Sequence, residues 1–162
     1  MLNERSKSNG FSMIEGLVAT SIIMIGLVAV FGLINSSLRM IAVAKDELVA
    51  ANLAQEGIEI VRAIREENWI EDENFNTGLS PGQYRVHYLE TRLLPFVNTP
   101  LRFDSNTGFF QYNSGEDTPF YRTISISSIS PVEIRVVSQV SWQTRGLPYS
   151  VVAETHLFDW LP

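Results

Sequence analysis

From Gly16 to Leu38 the chain runs for 23 residues without a charged side chain, and no other feature restricts its fold so strongly. A helix needs about 20 mostly apolar residues to cross the hydrocarbon core of a bilayer. The stretch Phe11 to Leu38, FSMIEGLVATSIIMIGLVAVFGLINSSL, therefore reads as a membrane-spanning helix. A secretory signal has a shorter apolar core and a small-residue cleavage site after it. Here the run is too long, and the small residue, Gly10, comes before it.

The preceding segment, MLNERSKSNG, is polar and carries Arg5 and Lys7. Basic residues flank the cytoplasmic ends of such helices, which predicts the N-terminus inside and the C-terminal region outside the cytoplasmic membrane. Glu15 is the exception within the apolar stretch, because a carboxylate at that depth costs several kcal/mol unless a partner neutralises it. A cut after Gly10 would create an α-amine on Phe11, four positions before Glu15. With a reference pKa of about 7.7 to 8.0 that amine is largely protonated at neutral pH, and it supplies the missing cation.

The run Gly10-Phe11-Ser12-Met13-Ile14-Glu15 followed by a long apolar helix closely resembles the class III prepilin signal of type IV pilins and type II secretion pseudopilins. The resemblance implies that a membrane prepilin peptidase cuts between Gly10 and Phe11 and methylates the new Phe11 amine. It also implies that Glu15 pairs with the N-terminus of a neighbouring subunit during assembly. The chain departs from the commonest pattern at Ser12, Met13 and Gly16 and lacks the helix proline of many major pilins. Gly26 and Gly32 could loosen the helix in its place. The stretch Leu53-Ala54-Gln55-Glu56-Gly57-Ile58-Glu59, with Val61, Arg62 and Arg65, also resembles the helix of minor-pilin-like proteins.

Beyond Arg39 the helical period continues through Ile41, Ala44, Leu48, Ala51, Ala54, Ile58, Val61 and Ile64. The opposite face carries Lys45, Asp46, Glu47, Gln55, Glu56, Glu59, Arg62, Arg65 and Glu66, a solvated surface. At 1.5 Å per residue, a helix from Phe11 to about Trp69 extends about 90 Å. The turn-rich EDENFNTGLSP, Glu71 to Pro81, ends it. Strands are predicted at Tyr84 to Leu94, Phe109 to Tyr112, Phe120 to Ile129, Val132 to Trp142 and Tyr149 to Phe158. Leu93 to Asp117 reads as a turn-rich excursion, and FNTG and SNTG within this half read as turns. The expected fold class is α+β, a lollipop with a long N-terminal helix and a small antiparallel sheet domain. Its parts are a leader at 1–10, a membrane and assembly half-helix at 11–38, an amphipathic half-helix at 39–69 and a β-rich domain at 70–162.

The remaining chemistry is sparse. A net charge of −6 argues against nucleic acid, and the chain has no cysteine for disulfides or thiolate metal sites. Asp72, Asn74 and Asn76 have the spacing of a calcium loop, but Gly78 comes one place late and Gln83 stands where the closing glutamate belongs. His87 and His156 fit no zinc pattern and read as polar strand positions. No GxSxG, GxxxxGK[ST] or GxGxxG sequence occurs. Trp69, Trp142 and Trp160 read as core. The expected molecule is thus a structural subunit, a minor pilin, and neither an enzyme nor a cofactor protein. Its partners are the prepilin peptidase and N-methyltransferase, other pilin subunits, an inner-membrane assembly platform and membrane lipid. It starts as a single-pass inner-membrane protein and ends in a periplasmic or extracellular filament. A type II secretion pseudopilin or a filament-tip adhesin would use the same N-terminus.

Gly10→Val places a branched side chain at the scissile bond. Co-expressed with a prepilin peptidase, that variant should keep the mass of the uncut precursor while the parent chain loses residues 1–10; a mature-length variant would remove Gly10 from the site.

Overall fold

One helix, α1, runs from Met13 to Ile70 in a computed structural model that describes residues 11–160. The chain divides into two compact units, Met1–Ala42 and Val43–Pro162. The described part of the first is helix alone. The second contains the rest of α1 and all the strands.

Helix α1 stops through its own backbone chemistry. Asp72 adopts a left-handed conformation with φ 59°, Glu73 N–H donates to the Asn68 carbonyl at 2.8 Å, and Asp72 N–H reaches the Trp69 carbonyl at 3.4 Å. This is the Schellman arrangement, which satisfies carbonyls that the last turn would leave bare. The Asn68 amide then donates to the carbonyls of Phe75 and Thr77 at 3.2 and 2.9 Å. Phe75 and Leu79 are thereby delivered into the core. The residues with calcium-loop spacing thus belong to a helix cap and the turn that follows it.

Eight strands follow: β1 (Gly82–Arg85), β2 (Leu94–Pro95), β3 (Arg102–Asp104), β4 (Phe109–Gln111), β5 (Glu116–Asp117), β6 (Tyr121–Ser130), β7 (Glu133–Thr144) and β8 (Leu147–Phe158). All pairings are antiparallel. The main sheet has the order β2-β1-β6-β7-β8 and a smaller one the order β4-β3-β5, as the α+β reading requires. The three long strands lie close to their sequence-predicted limits, because alternation over ten or more residues is hard to misread. Between β7 and β8, Arg145 and Gly146 sit at φ 55° and 80°, the positive pair that a two-residue hairpin turn demands.

Two expectations are corrected. Tyr84 to Leu94 is not one strand: the chain turns after Arg85, with Glu90 N–H on the His87 carbonyl at 2.9 Å, and the Val86 carbonyl accepts from the Arg122 side chain instead of a strand neighbour. The excursion at Leu93 to Asp117 is more ordered than its turn residues suggest, since it builds the small sheet and buries Leu101. In addition, the predicted helix stripe starts late. Ile41 and Leu48 are each 64% exposed, and continuous burial begins at Ala50.

From Ala50 the helix lies on the main sheet in two patches. Ala50, Leu53 and Ala54 pack with Leu101, Phe120, Val140 and Trp142. Ile58, Val61 and Ile64 pack with Ile124, Ile126, Val136 and Leu157. Gly57 is the point between them. A Cβ there would lie 2.5 Å from Ser138 Oγ and 2.8 Å from Ile124 Cδ1, inside any allowed contact. Gly57→Ala should therefore lower domain stability by about 1–3 kcal/mol through overpacking, although alanine is the better helix former by about 1 kcal/mol. Gly32, with open space around it, is the control; equal unfolding midpoints for Gly57→Ala and Gly32→Ala would refute the close-contact reading.

Candidate functional site

The first candidate lies at the N-terminal end of α1. Phe11 and Ser12 precede the helix, and the Ser12 carbonyl accepts from Gly16 N–H at 3.1 Å. Phe11 is 74% exposed, and its ring covers Gly16, where a Cβ would meet Phe11 Cε1 at 3.1 Å. Glu15 stands in the first helical turn, where the unpaired N–H groups and the helix dipole favour a negative charge. It is exposed and makes no ion pair among the described residues. The leader 1–10, with Gly10 on the other side of the predicted cut, lies outside the described residues.

The surface behind this turn is apolar all round. Leu17, Ile22, Ile25, Phe31 and Leu33 are all largely exposed, and the helix is long and apolar enough to cross a membrane. Two of its hydroxyls are satisfied by the helix itself: Thr20 donates to the Gly16 carbonyl at 2.9 Å and Ser21 to the Leu17 carbonyl at 2.8 Å. A helix apolar on every side is stable only in lipid or against other apolar surfaces.

The second candidate is a buried polar group beneath Gly57, which the sequence reading missed. Arg122 on β6 is 2% exposed. Its Nη1 donates to the Leu53 carbonyl at 2.9 Å and to Glu56 Oε1 at 3.1 Å, and its Nη2 donates to the Val86 carbonyl. The side chain thus ties α1, β6 and the segment after β1 together. A signal was present: Arg122 shares the strand face of Ile124 and Ile126, the buried side of the alternation.

His87, 1% exposed, lies next to this group and not on a strand. Its Nε2 is 2.9 Å from Glu90 Oε1 without hydrogen-bond alignment, and its ring meets Tyr112 edge-on at 5.8 Å. Burial pushes the imidazole below its usual pKa, Glu90 works against this, and the Arg122 charge adds to it. Burial also raises the Tyr112 phenol. The other predicted position, His156, does lie on β8, with Nδ1 2.6 Å from Glu133 Oε1. Of the tryptophans, Trp142 is core, whereas Trp160 is 67% exposed and packs edge-on against Trp69 at 5.2 Å. Ser138, the buried hydroxyl of the group, has no hydrogen-bond partner among the described residues and is covered by Gly57, so the cluster lies where the helix comes nearest the sheet.

Residues 5–31 match the family model of the prokaryotic N-terminal methylation motif. The match supports a class III prepilin signal of the type IV pilin-like or pseudopilin kind at this N-terminus, and among the described residues α1 is long and apolar enough to cross a membrane. No curated protein and no solved structure matches the chain at a significant level.

The depressed His87 pKa has a consequence of definite sign. The unfolded chain takes up a proton near pH 6.5 that the folded chain resists, so this contribution is complete above that pH and is lost as pH falls below it. Domain stability should therefore decline as the pH falls below about 6.5, with a slope from this group of at most about 1.4 kcal/mol per pH unit. Denaturation followed by tryptophan fluorescence should show a flatter profile for His87→Gln; an unchanged slope would assign the pH dependence to other groups.

Proposed function

We propose that this chain is a minor pilin: a filament subunit made as a membrane-anchored precursor, cut between Gly10 and Phe11 and methylated on the Phe11 amine. The observation that carries the proposal is the methylation-motif match on a helix whose single charge between Phe11 and Arg39 is Glu15. Removal of the leader leaves a cation on Phe11 close in sequence to that carboxylate. In lipid, an ionised carboxylate costs about 2.5–3.5 kcal/mol on insertion scales. A neighbouring subunit's N-terminal amine offsets that cost, and the subunit is drawn into register with the one before it.

Arg5 and Lys7 place the leader in the cytoplasm, where the peptidase and N-methyltransferase act, and leave the β-rich domain outside. The leader is 1–10, the membrane and assembly half of the helix 11–38, its amphipathic half 39–69 and the β-rich domain 70–162. Processing and docking require the peptidase, membrane lipid, an inner-membrane assembly platform and other pilin subunits. Once extracted, the helices pack against one another and the subunit resides in a periplasmic or extracellular filament. A secretion pseudopilin shares the same motif and differs in building a short periplasmic piston, so surface filaments containing the chain separate the two readings.

Glu15→Ala is the decisive variant. Intact mass should show a mature chain starting at Phe11 with one added methyl in both parent and variant, while sheared filament fractions should contain the parent and lose most of the variant. Normal incorporation of Glu15→Ala would sink the pairing mechanism; an unprocessed parent in the presence of active peptidase would sink the prepilin reading itself.

A further inference from the structure

The face of the main sheet turned away from α1 carries a second chemistry at its hairpin end. On β6 and β7, Arg122, Ile124, Val140 and Trp142 point to the helix side. Their alternates Tyr121, Thr123, Gln139, Ser141 and Gln143 point to the other side. The register aligns Tyr121 with Ser141 and Ser150, and Thr123 with Gln139 and Val152. Charge appears farther along this face, at the pairs Arg135–Glu154, 2.7 Å apart, and His156–Glu133, 2.6 Å apart. In a chain of net charge −6, this uncharged surface of hydroxyls and amides around the exposed Val152 is a distinct local environment.

At this end the face sinks into a recess of about 600 Å³ lined by Asn98, Pro119, Tyr121, Ser141, Gln143 and Pro148, within the ~300–1,000 Å³ of small-molecule sites. Trp142 and Tyr149, stacked at 5.6 Å and 19°, border it from the helix side of the same strands, so the recess lies at the end of the sheet where its two faces meet. No charged side chain lines it. Tyr121 is 36% exposed. Each amide offers one acceptor and two donors in a plane, and Ser141 adds a hydroxyl.

These are the groups that recognise a pyranose. Its C–H face lies on an aromatic ring, and its neighbouring hydroxyls each give and take one hydrogen bond. An anionic sugar would find no cation here and would meet a protein of its own sign. We infer that this recess binds a neutral oligosaccharide, with Tyr121 as the stacking platform and Asn98, Ser141 and Gln143 as the hydroxyl-reading groups, and that the uncharged face through Thr123 and Gln139 extends the site along a longer glycan. A subunit with such a site would attach its assembly to a polysaccharide surface. The site is complete within one chain, so it stands independently of filament membership.

The test uses the full chain in phospholipid nanodiscs, which avoids sugar-headed detergents, with cellotetraose, chitotetraose and maltotetraose as probes. Tetragalacturonate and a proline-rich peptide serve as the charged and peptide comparisons. Calorimetry should give saturable binding, at millimolar Kd or tighter, of at least one neutral tetrasaccharide. Tyr121→Ala should weaken it about tenfold or more, as loss of a stacking contact does elsewhere, and Gln143→Ala should weaken it several-fold. Glu154→Gln, on the charged part of the same face, should bind as the parent does, and all variants should keep the parent's unfolding midpoint. No saturable binding of any neutral probe overturns the inference. So does tighter binding of tetragalacturonate or the peptide, or an unaltered affinity in Tyr121→Ala. Because the titration needs no filament, its failure leaves the assembly reading intact.

Discussion

The guanidinium of Arg122 donates to the Leu53 carbonyl inside helix α1, a contact possible only because residue 57 has no side chain to hold the helix away from the sheet. Most of the globular unit is arranged around this crossing. Leu53 O is also the helical acceptor of Gly57 N–H, so one carbonyl serves both the helix and the sheet. Glu56 closes the pair from the helix, with its carboxylate partly open to solvent, and the Val86 carbonyl takes the other nitrogen. A buried ion pair is weak as a source of net stability, because desolvation cancels much of the attraction. Its value here is positional. An arginine whose two terminal nitrogens are spent on two backbone carbonyls and a glutamate cannot accept a helix displaced along the sheet.

The same crossing explains why two apolar patches exist instead of one. Toward the N-terminus, small residues at 50 and 54 let the helix approach Phe120 and Trp142; toward the C-terminus, Ile58, Val61 and Ile64 fill a wider gap over the β6–β7–β8 surface. The Asn68 amide and the left-handed Asp72 then end the helix and return Phe75 and Leu79 beneath it. His87 is held neutral by what surrounds it. The polar centre of the domain therefore depends on burial remaining complete.

The membrane half of α1 obeys another rule. The restraints on its residues are chemical: no charge but Glu15 between Phe11 and Leu38, and the Thr20 and Ser21 hydroxyls satisfied by their own helix. In the proposed assembly Glu15 gains a partner only from another chain. The interaction that orders the subunit in a filament is thus absent from the isolated molecule, while the one that orders its domain is already complete.

What the amino-acid sequence by itself determined follows from periodicity and from charge, which need no partner to be read. These are the long apolar helix, the anomalous Glu15, the N-terminal methylation motif, the helix stop near residue 70 and the three long strands. The tertiary structure alone decided what depends on residues far apart in the chain. Gly57 reads in sequence as a weak point of a helix and becomes the site of closest approach. Arg122 reads as a strand cation and becomes buried, and His87 leaves the strand predicted for it because Arg122 captures the Val86 carbonyl. The recess at Tyr121, Ser141 and Gln143 likewise needs strand register, which places residues about twenty apart in sequence side by side. Local pattern specifies which face a side chain takes; only packing specifies which partner waits there.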